Sequence, residues 1–188
     1  AAIGGRAVAA MTAAEVRAAA ARQGVEVPAL DEVLDICAGR ILVDSEIKDP
    51  AAAAAVAATA ARLLPPDSVL LSSFSRRALR TVRQVVPEIP RGWIVGRAVP
   101  GGWRALVWLT AGPLAGLFGR PACLIPECRL AGRRSAAGLV DPALPWLTWT
   151  VNDPAEAGRL ADLGAWALIT DVPDALLAWR RERRGAGR

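Results

Sequence analysis

Asp44, Glu46 and Lys48 stand two apart in the run ILVDSEIK, residues 41–48. A β-strand places residues two apart on one face, so all three project together, while Val43 and Ile47 face an apolar layer on the other side. Two carboxylates and an ammonium on one face of a buried strand are unfavourable without partners or a task. One reading is a hard-metal ligand at Glu46 beside a phosphate-binding cation at Lys48. The other is a self-satisfying ion pair at a strand end. The chain contains no histidine. Imidazole acid/base catalysis, Ser-His or Cys-His nucleophiles and His-ligated metals therefore cannot be built from it alone. Carboxylates, lysine, thiols, hydroxyls and backbone remain. Cys37, Cys123 and Cys128 form neither a disulfide framework nor a zinc spacing, and are expected as buried free thiols in a reducing compartment.

The elements that must position these groups alternate. Strand-like runs at residues 41–48, 69–74, 93–95, 122–125, 146–151 and 166–170 are separated by helical patterns. Helices are expected at 50–64, 76–86, 154–163 and 174–184, with an irregular one near 103–109. Asp49 and Asp153 suit N-caps, each followed by a proline, and Gly164 suits a helix stop. In the helix at 76–86 the apolar set is Leu79, Val82, Val85 and Val86. Two further helices precede the first of these strands, at 12–22, where Thr12 and Glu15 match a capping box, and at 30–38.

Strands alternating with helices imply a parallel sheet of about six strands. No glycine-rich phosphate loop follows residues 41–48, which argues against a doubly wound sheet. Polar residues gather at strand C-terminal ends: Glu46, Lys48, Ser72, Ser73, Thr150, Asn152, Thr170 and Asp171. That is where a (β/α)8 barrel keeps its chemistry. A barrel typically takes about 250 residues, so the chain is short by roughly 60, about two βα units. No linker divides it, and a single domain over residues 1–188 is expected.

The bulk numbers set bounds on function. With 53% hydrophobic and 22% charged residues, long-range disorder is not expected. The net charge is +5, but the tail RRERRGAGR at residues 180–188 accounts for most of it. One basic tail is not a basic face, and no nucleic-acid partner is expected. The apolar run at 103–118 contains Arg104, Gly112 and Pro113 and is too short for a membrane span. The opening AAIGG has no signal-peptide pattern. A cytoplasmic location is expected, in line with the free thiols.

Three stretches together resemble the glycerophosphodiester phosphodiesterase family. They are VPALDEVLDICAGRILVDSEIKDP, VLLSSFSRRALRTVRQVVPEIPRG and WTVNDPAEAGRLADLGAWALITDVPD, in that order, and the likeness runs from about residue 28 to 177. The resemblance implies a (β/α)8 TIM-type barrel that hydrolyses glycerophosphodiesters to an alcohol and sn-glycerol 3-phosphate with Ca²⁺ or Mg²⁺. It places a metal ligand at Glu46, a phosphate contact at Lys48, and glycerol-side walls at Trp149 and Phe74. Ordinary core packing is the alternative for both aromatic residues. Asp171 is expected to shape the last βα turn rather than to touch the metal. The family's H-R-G strand, P-E-N-T segment, E-x-D strand and second histidine have no counterpart here. The expectation is therefore an N-terminally incomplete barrel lacking its first two strands, with no catalytic residue of its own and weak cation binding. Such a chain is expected to be inactive alone, as the C-terminal part of a longer enzyme. The alternative is a non-catalytic protein of the same fold that binds phosphate, glycerol or a partner. A binder of nucleic acid or anionic membrane through the arginine tail is a third possibility, marked by steep salt dependence. Open barrel edges would favour self-association.

Overall fold

A computed structural model describes residues 2–3, 5–96, 121–131 and 144–186. The expected helix near 103–109 and the apolar run at 103–118 lie outside the described residues. The elements are β1 (Ala2–Ile3), β2 (Arg6–Ala7), α1 (Ala13–Ala21), α2 (Leu30–Cys37), β3 (Val43–Glu46), α3 (Ala53–Leu63), β4 (Val69–Ser73), α4 (Arg76–Val85) and β5 (Arg91–Val95). After these come β6 (Cys123–Pro126), α5 (Cys128–Ala131), β7 (Leu147–Thr148), α6 (Pro154–Asp162), β8 (Ala167–Leu168) and α7 (Pro173–Ala186).

Strands β3, β4, β5 and β6 pair in that order, all parallel. Parallel bridges Leu124↔Trp146 and Glu127↔Trp149 carry the ladder on to β7, which pairs in parallel with β8. Six parallel strands thus follow one another in chain order with helices between them: a partial (β/α) barrel, as the alternation predicts. The local signals hold too. Thr12 and Glu15 form the capping box, Asp49 and Asp153 cap through the Ala51 and Ala155 N–H groups, and Gly164 adopts φ +89° after α6.

Period-two alternation sorts the strand side chains. Outward residues Val43, Ile47, Val69 and Leu71 pack with Leu34, Ala57, Ala60 and Val82 of the helices. Inward residues Leu70, Ile94, Cys123, Ile125, Leu147, Trp149, Ala167 and Ile169 form a separate cluster. Gly92 takes an inward position where a Cβ would sit 2.7 Å from Ile125 Cδ1 and 3.3 Å from both Cys123 Sγ and Ser72 Cβ. Ile125 is fully buried and has little room to yield. Gly92→Ala is therefore expected to destabilise the fold by about 1–3 kcal/mol. Adding Ile125→Val, which removes the clashing methyl, should recover part of the urea midpoint. A Gly92→Ala midpoint equal to that of the parent would contradict this packing.

Of the apolar set in α4, Val85 is 43% exposed, on the outer side of the helix. Two expectations need correction. Only Cys123 is buried; Cys37 and Cys128 are half-buried, one at the end of α2 and one at the start of α5. The strands expected at 146–151 and 166–170 have only two-residue ladders, extended for the first by single bridges. Residues 2–7 form an antiparallel hairpin turning at Gly5, φ +79°, which hydrophobic periodicity does not announce.

Candidate functional site

The C-terminal ends of β3 to β8 define one mouth. Glu46 ends β3, with Asp44 below it on the same inner face. Lys48 lies past the strand, but its Nζ returns to Glu46 Oε2 at 2.7 Å. Lys48 is 76% exposed and the Glu46 side chain 29%. The ion-pair alternative is thus realised for one carboxylate oxygen. An exposed pair of this kind adds little stability, so Lys48 can exchange partners at small cost. The other oxygen, Glu46 Oε1, is buried with no hydrogen-bond partner among the described residues.

An unpaired buried carboxylate oxygen suits a hard divalent cation, which takes oxygen ligands and restores the lost solvation. The fit extends to this single carboxylate. Among the described residues no group of three His, Cys, Asp or Glu side chains is placed to hold an ion.

Asp44 remains open to solvent on one side, yet its carboxyl pKa is raised. Crowding by protein atoms is the largest cause; the Ser72 hydroxyl opposes it, and the Glu46 charge adds to it. That opposing pull falls short of a hydrogen bond, since Ser72 Oγ has no partner in bonding geometry among the described residues. The sign of the pH effect follows. A carboxyl with a raised folded pKa holds its proton more tightly folded than unfolded, so stability falls as pH rises from about 3.8 through the folded value. Asp44→Asn is expected to raise the urea midpoint at pH 7 and to leave it nearly unchanged at pH 3. Solvent screening keeps the gain below about 1 kcal/mol. An equal gain at both pH values, or a loss at pH 7, would contradict this. On the same inner face the Cys123 thiol is pushed up to about 12 by burial and by the Asp44 charge, which makes it unreactive.

Phe74 and Trp149 meet across the mouth. Phe74 follows β4 and Trp149 follows β7, with β5 and β6 between them. Their rings make an edge-to-face contact, with centroids 5.6 Å apart and planes at 88°. The Phe74 ring packs over Gly96, just past β5, where an added Cβ would lie in ordinary contact 3.6 Å from Phe74 Cε1. Trp149 Nε1 donates to the Ile125 carbonyl at 3.1 Å, which fixes the indole plane. Phe74 is 48% exposed, so this pair is a surface of the mouth more than a filler of the core.

The remaining polar residues at strand ends hold loops. Ser73 Oγ donates to the Ile47 carbonyl at 2.7 Å and accepts from Ser75 N–H at 3.0 Å, joining the turns after β3 and β4. Asn152 Oδ1 accepts from Thr170 Oγ1 and Asp171 N–H, while its Nδ2 donates to Asp171 Oδ2. That clamp ties the ends of β7 and β8 and bears out Asp171 as a residue of the last turn. Sequence reasoning names these positions but misses the clamp, whose only signal is the recurrence of polar residues after strands. Residues 180–186 of the basic tail belong to α7, with Arg183 stacked on Trp179 and paired with Asp162.

Fold and site together define a partial (β/α) barrel with charged and aromatic groups collected where the parallel strands end. The sequence profile described as the Glycerophosphoryl diester phosphodiesterase family matches residues 3–175, and the chain belongs to that family. No curated protein matches it. Among solved structures it is similar to an Oleispira antarctica phosphodiesterase in complex with the product sn-glycerol-3-phosphate. The identity is 22% and the TM-score 0.67, covering 83% of this chain and 62% of that one. A glycerophosphodiester phosphodiesterase from Parabacteroides distasonis gives 18% and 0.74, over 97% of this chain and 76% of that one. One from Agrobacterium tumefaciens gives 21% and 0.66, over 91% and 73%. The chain thus spans between three-fifths and about three-quarters of these neighbours' lengths.

Proposed function

We propose that this chain binds glycerophosphodiesters at the strand-end mouth and contributes to their hydrolysis to an alcohol and sn-glycerol 3-phosphate. The observation that carries the reading is that one mouth holds both the Glu46–Lys48 pair and the Phe74–Trp149 pair. Lys48, weakly held by Glu46, turns its ammonium to a phosphate oxygen. The edge-to-face rings offer an apolar wall to the glycerol carbons. Glu46 Oε1 would hold a divalent cation, Ca²⁺ or Mg²⁺, which when bound neutralises phosphate charge. The chain holds no imidazole to take a proton from water or give one to the leaving alcohol. Turnover by this polypeptide alone is accordingly slow, and the same observation favours non-catalytic binding as the second reading. Three free thiols suit a reducing compartment, and we assign the chain to the cytoplasm. No helix among the described residues is long and apolar enough to cross a membrane. Among the described residues β3 and β8 end the ladder; Ile41 and Leu42 near one edge and Trp166 near the other are exposed, which supports self-association there.

Isothermal titration with sn-glycerol 3-phosphate tests the reading. Saturable binding, tighter than for inorganic phosphate, is expected because the aromatic wall adds to the charge contact. Equal affinity for the two would remove Phe74 and Trp149 from the site.

A further inference from the structure

Ser72 is fully buried on the inner face of β4, and its hydroxyl has no hydrogen-bond partner among the described residues. In the parallel ladder its register partner is Glu46, whose Oε1 is the other unpaired buried carboxylate or hydroxyl oxygen described above. Adjacent strands lie about 4.8 Å apart, so same-face side chains at paired positions are neighbours. Buried polar groups are rarely left unpaired, and two such oxygens at paired positions are costly unless something serves both; the Asp44 carboxylate is the competing partner for the Ser72 hydroxyl.

We propose that Ser72 Oγ is a second oxygen donor for the divalent cation that Glu46 would hold. The inference rests on the reading of Glu46 given above. The chemistry is that of a hard cation: a carboxylate oxygen supplies charge, and a neutral hydroxyl supplies a lone pair without adding a second negative group. Asp44, one inward position earlier on β3, adds negative potential nearby. Ser73, the next residue, takes no part, because its hydroxyl is committed to Ile47 and Ser75.

The test is Mn²⁺ alone, titrated into the full 188-residue chain and followed by the electron paramagnetic resonance of the free ion. The parent chain is expected to bind, and Glu46→Gln to lose most of that binding. Ser72→Ala should weaken it by roughly 10-fold, and Ser72→Thr, which keeps the hydroxyl, by much less. Ser72→Cys should weaken Mn²⁺ but gain Cd²⁺, with a thiolate-to-cadmium ultraviolet band stronger than the one the parent's three thiols give. That gain would not follow from a packing role. If Glu46→Gln weakens binding while Ser72→Ala and Ser72→Cys match the parent, Ser72 is no ligand and the reading of Glu46 stands. If the parent chain fails to bind Mn²⁺, or Glu46→Gln leaves binding intact, both are overturned.

Discussion

Glycerophosphocholine incubated with this chain and Ca²⁺ or Mg²⁺ is expected to be hydrolysed at least about 10⁴-fold more slowly than by a relative that carries the family's two acid/base histidines. The reasoning is chemical. Phosphodiester hydrolysis needs water oriented and partly deprotonated, and a leaving alkoxide protonated. Each role contributes about 10²–10⁴-fold when a positioned side chain performs it. The 188 residues include no histidine, and among the described residues the mouth offers carboxylates and a lysine in its place. Glu46 is engaged by Lys48 on one oxygen, and the Cys123 thiol is held protonated by burial. What remains is positioning and charge neutralisation, which lower the barrel's barrier only in part. Turnover within tenfold of a histidine-bearing relative would show that a carboxylate here does acid/base work.

Removing the Lys48 ammonium should have the next largest effect. Lys48→Ala is expected to weaken sn-glycerol 3-phosphate binding by about 10- to 100-fold, the scale of one charge-assisted hydrogen bond. Two physical effects act in the same direction. The variant loses the cation that meets the phosphate, and it leaves the Glu46 carboxylate uncompensated beside an anion. Because Lys48 is 76% exposed, the loss should shrink as salt rises. Lys48→Arg should keep much of the affinity, since charge rather than forked geometry is required. Affinity unchanged within twofold in Lys48→Ala would place the phosphate elsewhere.

The barrel wall was legible because burial on two faces leaves a period-two trace. Val43 and Ile47 face the helices and Asp44 and Glu46 the interior, as alternation requires. Helix starts were legible because caps are local: Thr12, Asp49 and Asp153 need only the residues that follow them. Contacts made across strands were not. Nothing in VLLSSF says that Phe74 will pass over Gly96 to meet Trp149, since that depends on the ends of four strands coming together. Lys48 was expected to project by strand alternation, yet the strand ends at Glu46 and the chain turns before the ammonium comes back. The unpaired state of Ser72 was likewise invisible, because a serine in a strand sequence carries no record of what its hydroxyl faces. The hairpin at 2–7 escapes because AAIGGRAVAA has no alternation and few strong strand formers; Gly5 alone hints at the turn.

The joint placement of phosphate and glycerol at this mouth can be read at Trp149 directly. Two-dimensional NMR of the ¹⁵N-labelled chain resolves the indole N–H signals, and Trp149→Phe assigns the relevant one. Addition of sn-glycerol 3-phosphate is predicted to shift the Trp149 signal saturably, and the shift is predicted to be lost in Lys48→Ala. A well-dispersed spectrum in which the Trp149 signal stays fixed while sn-glycerol 3-phosphate binds and moves other residues would contradict the account.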